Sequence, residues 1–224
     1  MTTLLICGTD SGVGKTWMGR ALGHALRAAG RRVVAIKPVE TGTSDATAMT
    51  EDGALLAAAT GQTEPLAALY RFTEPLDPAL AADAAGEALD LDTVLLRLEA
   101  LSAGAEMVLI EGPGGLLSPV TWEWTVVDLA RALGATVLVV APDRLGAINH
   151  TLLTLSALEL AGLPVAGVAL TPPASPDPST GTNAAAIVRL AGIDQVVSMP
   201  WLADPSATCR ETQLLLEWIV APAG

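Results

Sequence analysis

Apolar residues along this chain follow two rhythms. Short, almost unbroken runs at residues 4–7, 32–36, 107–110, 136–140 and 165–170 are rich in Val, Ile and Leu. Each is followed within two residues by Gly, Lys, Glu or Pro, as expected of strands buried on both faces of a parallel sheet. Between them the spacing lengthens to three and four. In 15–29, Met18, Ala21, Leu22, Ala25 and Leu26 share one helical face, and Gly30 supplies a stop. Similar spacing predicts helices over 91–101, 126–133, 149–161 and 183–191. Strands alternating with helices imply right-handed crossovers, hence an α/β architecture of three layers, a mostly parallel sheet with helices on both faces. One domain over 1–224 is the simplest organisation, since no internal repeat or low-complexity tail interrupts the pattern. The stretch 171–182 is rich in Pro, Ser, Gly and Thr and reads as a long, mobile loop.

Composition narrows the partners. Half the residues, 51%, are apolar, and at 224 residues the chain can bury a core without disulfides or metals. A net charge of −12 repels nucleic acid and anionic membrane at long range, so neither is expected as a partner. No apolar run is long enough to span a bilayer, and the first residues lack the basic, then apolar, pattern of a secretory signal; a cytoplasmic protein is expected. Cys7 and Cys209 have no ligand spacing to each other or to a histidine, so a zinc site is not expected and free thiols are.

The densest chemistry lies between the first strand and the first helix, in Gly8-Thr9-Asp10-Ser11-Gly12-Val13-Gly14-Lys15-Thr16. Glycines let backbone N–H groups turn inward, and a helix N-terminus adds partial positive charge, so such a loop cradles phosphates. Lys15 is placed to reach β- and γ-phosphates, and the Thr16 hydroxyl to ligate Mg²⁺. Five residues rather than the usual four separate Gly8 from Gly14-Lys15, while the Gly12-Val13-Gly14-Lys15-Thr16 end is intact. A P-loop NTPase fold follows, and the Ala-rich stretch 43–90, with Pro75 and Pro78, reads as two short helices covering one edge of the nucleotide site.

Lysine usage sharpens this picture. Of the 12 Lys and Arg residues only Lys15 and Lys37 are lysines, so each marks a place where a compact ammonium serves and a guanidinium fork does not. Lys37 ends the second strand in Lys37-Pro38-Val39-Glu40-Thr41-Gly42, aimed at the same sheet edge as the phosphate loop. Glu111 opens Glu111-Gly112-Pro113-Gly114-Gly115 at another strand end and is a candidate metal ligand. On spacing alone Asp52 reads equally well as a helix-dipole contact or a second ligand. His24 reads as structural and His150 as capping or packing, with a general base the alternative. Trp122 and Trp124 could cover a ligand or a partner. No serine, histidine and acid form a nucleophilic triad pattern.

Together these motifs resemble the dethiobiotin synthetase family. The resemblance rests on the phosphate loop, Lys37-Pro38-Val39 with Thr41-Gly42, Glu111-Gly112-Pro113-Gly114-Gly115, Leu145-Gly146-Ala147-Ile148-Asn149-His150 and Pro200-Trp201-Leu202. It implies a Mg²⁺-dependent homodimer, with sites at the interface, that uses ATP or another nucleoside triphosphate and CO₂ or bicarbonate to close a cyclic urea on 7,8-diaminopelargonic acid. It assigns Thr16, Asp52 and Glu111 to magnesium, and Lys15 and Lys37 to the phosphates and a carbamate. Ser11 and Thr41 would contact the diamine end. Gly146 and Asn149, from the partner subunit, would hold the carboxylate tail. Gly12, Val13, Gly14, Thr171 and Pro200 to Leu202 would contact the nucleotide.

Thr171 stands where some members of that family have an adenine-reading asparagine, which implies loose base selectivity. Pro113 stiffens the second glycine loop, and the region after Trp201 matches weakly. A partitioning or sorting switch ATPase shares the expected fold, but such proteins carry a signature lysine where this chain has Asp10. The P-loop half of a cobyrinate-type amidotransferase would need a glutaminase domain, for which this chain has no residues to spare.

Overall fold

Strict alternation in the strands divides the core in two. In the computed structural model, which describes residues 1–207 and 209–220, strand β1 (Thr2–Gly8) sends Leu5 and Cys7 to one face and Leu4 and Ile6 to the other. Strand β5 (Met107–Gly115) divides Val108 and Ile110 from Met107 and Leu109 in the same way, and β6 (Thr136–Pro142) divides Val137 and Val139 from Leu138 and Val140. With β2 (Val33–Ile36), β7 (Val165–Thr171) and β8 (Val196–Ser198) they form a six-stranded, all-parallel sheet in the order β2-β5-β1-β6-β7-β8.

Helix α1 (Lys15–Ala28) covers one face with Met18, Leu22 and Leu26, beside α2 (Asp52–Thr60) and α8 (Arg210–Val220). Helices α4 (Leu91–Leu101), α5 (Val126–Ala132), α6 (Ala147–Leu160) and α7 (Asn183–Ala191) bury Val94, Leu129, Leu158 and Ile187 on the other. This is the three-layer α/β arrangement the alternation predicts. The β2 edge is closed by Gln62, whose amide accepts from Ala35 N at 2.8 Å and donates to Ala35 O at 3.0 Å, as a neighbouring strand would.

Several elements depart from the sequence reading. A small parallel pair, β3 (Val39–Thr41) and β4 (Tyr70–Phe72), extends from the end of β2, and α3 (Pro78–Ala85) packs on it. So 43–90 holds the two expected helices, α2 and α3, and also a strand and a 3-10 turn at Ala48–Thr50. Strand β5 runs on through the expected loop to Gly115. Its pairing with β1 is irregular between Ile6↔Glu111 and Gly8↔Gly115, and Pro113 sits in that gap where no ladder N–H is required. Helix α6 starts at Ala147, two residues earlier than expected, after Gly146 in the left-handed region (φ 96°).

The 171–182 loop is tied down rather than free. Buried Asp143 accepts from Asn183 Nδ2 at 2.7 Å and Gly181 N at 3.0 Å, and its own carbonyl accepts from Thr180 Oγ1. Asp177 accepts from Ser179 N and from Leu145 N at 2.9 Å. Polarity gives this loop internal bonding partners, which is why composition alone misreads it.

Candidate functional site

The phosphate loop leaves β1 where the connections diverge, with α1 leading to the β2 side and β6 on the other flank. Open α/β sheets bind ligands at this switch point. Gly14 caps α1 at φ 95°, a conformation in which a side chain would be strained, and a Cβ there would also meet Thr171 Cγ2 at 3.0 Å. The Lys15 ammonium, mostly buried, donates to Asp10 O at 3.0 Å across the loop. Burial, and then Lys37 nearby, pull its pKa below the ordinary lysine value.

Opposite the loop, Lys37, Asp52, Glu111 and Thr16 converge. Lys37 Nζ donates to Asp52 Oδ2 at 2.8 Å and to Glu111 Oε1 at 2.5 Å, and Thr16 Oγ1 donates to the same Glu111 oxygen at 2.9 Å. Lys37 is 6% exposed and Glu111 1%. Burial alone would lower the lysine pKa, but Glu111 and then Asp52 outweigh it and hold Lys37 above its usual value. Burial opposes ionisation of Asp52 too, yet Lys37 brings its pKa below the usual range, while Glu111, the most buried, is pushed up. A charged lysine locked to two carboxylates is the consistent description of this cluster.

The donor set also suits a divalent cation. Glu111 Oε2, beside the oxygen that meets Lys37 and Thr16, is buried and has no hydrogen-bond partner, an orphaned acceptor. Thr16, Asp52 and Glu111 are hard oxygen donors of the kind Mg²⁺ takes, few enough that phosphate and water would complete the shell. Among the described residues no group of three or more His, Cys, Asp or Glu able to hold a metal occurs. Ser11, Thr41, Glu40 and Pro113 line the same cavity of about 470 Å³.

A second cavity of about 590 Å³ opens on the other flank of the loop. Gly12, Val13 and Gly14 form its floor, Trp17, Pro172 and Pro173 its sides, and Trp201 and Leu202 its rim. Trp17 Nε1 donates to Leu202 O at 3.3 Å, joining helix α1 to that rim. Pro200, expected beside Trp201, is not among the lining residues. The Thr171 hydroxyl does not face an incoming ligand as a free donor. It is buried, donates to Val13 O at 2.7 Å and lies 3.3 Å from Ala141 O. Thr171 therefore pins the phosphate loop to the end of β7.

Gly146 and Asn149 lie apart from this cluster, around the start of α6, where Asn149 is exposed. His150 is exposed too and lines a third cavity, with Asp10, Asp77, Leu117 and Leu153. His24 is half-buried in α1, with burial and then Arg20 lowering its pKa. Trp122 donates to Asp83 Oδ2 at 2.9 Å in a cavity that no phosphate-loop residue lines, and Trp124 packs partly against the core. The sequence reading missed Trp17, Pro173, Arg144 and Glu40. Trp17 was findable, since it follows Lys15-Thr16 by one residue and so leaves α1 near the loop; the others depend on tertiary pairing.

A glycine loop at the sheet's switch point, faced by a buried lysine and two carboxylates, defines a P-loop nucleotide-binding protein. In accord with that class, the AAA domain family model matches residues 2–208. A solved nucleotide-binding protein in complex with ADP from Archaeoglobus fulgidus shares the fold, with a TM-score of 0.54 over 99% of this chain and 89% of that one at 12% identity. More specific likeness comes from curated relatives named ATP-dependent dethiobiotin synthetase BioD. That of Anaeromyxobacter dehalogenans (strain 2CP-C) is 45% identical over 94% of this chain and 95% of the relative. That of Mycobacterium avium (strain 104) is 44% identical over 100% of both, and that of Aquifex aeolicus (strain VF5) 38% over 85% of both. The chain belongs to the ATP-dependent dethiobiotin synthetase family.

Proposed function

We propose that this protein is an ATP-dependent ligase that carboxylates 7,8-diaminopelargonic acid with CO₂ and closes the ureido ring of dethiobiotin, releasing ADP and phosphate. The observation that carries the reading is the Lys37–Asp52–Glu111 cluster facing the phosphate loop, in a chain 45% identical to a relative of that name over nearly all its length.

The chemistry suits side chains that hold charge rather than attack. One substrate amine adds to CO₂ and loses a proton, giving a carbamate. A carbamate oxygen then displaces ADP from the γ-phosphorus, giving a carbamic–phosphoric anhydride. The second amine attacks the anhydride carbonyl, closes the ring and expels phosphate. Two anions must meet in the second step, and two ammonium groups, Lys15 and Lys37, with the loop N–H groups lower that repulsion. Ser11 and Thr41 would orient the diamine, so positioning provides much of the remaining acceleration. Thr16, Asp52 and Glu111 would hold Mg²⁺, which when bound offsets charge on the phosphate oxygens. The cavity walled by Trp17, Pro172, Pro173 and Trp201 would take the base.

The proposal extends to a homodimer in which Gly146 and Asn149 of one subunit hold the substrate carboxylate in the other, and to a cytoplasmic location. Among the described residues no helix is long and apolar enough to cross a membrane. The direct test incubates the protein with the diamine, bicarbonate, Mg²⁺ and ATP and follows phosphate and dethiobiotin. Phosphate release that needs both diamine and bicarbonate is expected; release independent of the diamine would point to a switch ATPase instead.

A further inference from the structure

Asp52 sits at the first turn of α2, and the usual device for fixing such a turn is absent. The N-cap residue Glu51 makes no side-chain cap; its carboxylate is engaged by Arg71, at 2.7 Å to Nε and 2.8 Å to Nη2. The first N–H groups of the helix are instead taken by a side chain from another element. Glu40 of β3 accepts from Asp52 N at 2.5 Å through Oε1 and from Gly53 N at 3.0 Å through Oε2. Glu40 is 7% exposed, so these are buried, charge-assisted bonds. Gly53 admits the approach from the other side, since a Cβ there would lie 2.3 Å from Ala68 N.

We propose that Glu40 is the positioning residue for Asp52. Held by both of its oxygens, the start of α2 can neither rotate nor slide, and the Asp52 carboxylate stays 2.8 Å from Lys37 Nζ, beside Glu111. Both Glu40 oxygens accept backbone N–H bonds at the head of α2, the geometry of a side chain that fixes Asp52 in place. This inference rests on the reading of Asp52 and Glu111 as cation ligands. Partners bonded to a ligating group itself change metal affinity by about 10–100-fold when lost; Glu40 acts one step further out, through the backbone of Asp52.

The test measures Mn²⁺ binding by electron paramagnetic resonance in the presence of a non-hydrolysable ATP analogue, for the wild type, Glu40→Gln and Glu40→Ala. Glutamine keeps the shape but turns an amide N–H toward a backbone N–H, so it perturbs the contact while sparing the fold. Mn²⁺ affinity is expected to fall several-fold in Glu40→Gln and by about tenfold, the low end of the range for direct partners, in Glu40→Ala. Nucleotide affinity in EDTA should stay unchanged, and raised Mg²⁺ should restore kcat in Glu40→Gln. Wild-type binding of Mn²⁺ with unchanged affinity in Glu40→Gln overturns the assignment, as does a kcat loss that Mg²⁺ does not rescue. If Glu40→Ala does not fold, Glu40→Gln decides. A wild-type protein that binds no Mn²⁺ removes the cation reading and this inference with it.

Discussion

Replacing Lys37 by alanine removes the ammonium that touches both Asp52 and Glu111. Turnover should fall by about 10²–10³ or more, the range for losing one preorganised charge-stabilising donor. Nucleotide should remain bound, because the loop N–H groups and Lys15 are untouched; parallel turnover and calorimetric titrations check the split, and unchanged turnover would contradict the carbamate contact. Thr171→Val tests a different kind of contribution. It keeps the methyl against Gly14 and deletes the hydroxyl that bonds Val13 O, leaving a buried carbonyl short of its donor. A stability loss of about 1–3 kcal/mol in urea unfolding is expected, with weaker nucleotide binding, since that carbonyl belongs to the phosphate loop. With its hydroxyl so engaged, Thr171 offers little base discrimination. A nucleotide competition assay should therefore show other triphosphates displacing ATP readily.

Strand β1 joins the core to the site, and Cys7 near its end offers a pH probe. Burial, opposed only in part by Lys15, pushes the Cys7 thiol up to about 12. Below the unfolded-state value, near 9, the thiol is neutral in both states and the strand keeps its full stability. Above it the unfolded chain releases the proton and the native chain does not, so stability falls as pH rises, by about 1.4 kcal/mol per unit, until the native thiol also titrates. Urea unfolding of wild type and Cys7→Ala between pH 9 and 11 should show a steeper decline in the wild type; parallel curves would refute the assignment. These same buried strands are what the sequence reveals best. Strands β1, β5, β6 and β7 are apolar on both faces, and helices such as α1 and α4 repeat every three to four residues, so period alone locates them. Strands β3, β4 and β8, of three residues each, are too short to show a period. Within the site, Lys15 and Thr16 are legible from one contiguous motif. The meeting of Lys37 with Asp52 is not, because it depends on Glu40 capping a helix twelve residues on, a contact that leaves no spacing signature.

Across the whole molecule the large apolar residues left in solvent are scattered, and three of them lie around the segment that the proposed homodimer would place at its interface. Leu117 (68% exposed) and Leu153 (62%) line one cavity with His150, and Leu145 (80%) stands just before α6, in the segment that carries Gly146 and Asn149. A stable homodimer needs about 1,200–2,000 Å² of buried surface with an apolar centre, and these leucines are suited to that centre. Leu153→Glu places a charge there, clear of the Lys37 cluster, in a cavity that also reaches Thr9 and Asp10 of the phosphate loop. If the wild type is the proposed homodimer, its sedimentation should be that of a dimer and the variant's that of a monomer. If the partner supplies the tail contacts, KM for the diamine should rise at least tenfold while nucleotide affinity holds. The folded monomer should keep a cooperative thermal transition, because Leu153 is exposed on the chain itself and both core clusters close without it. A variant that stays dimeric at micromolar concentration would move the interface to another face. One that dissociates with an unchanged KM would place the whole substrate site within a single chain.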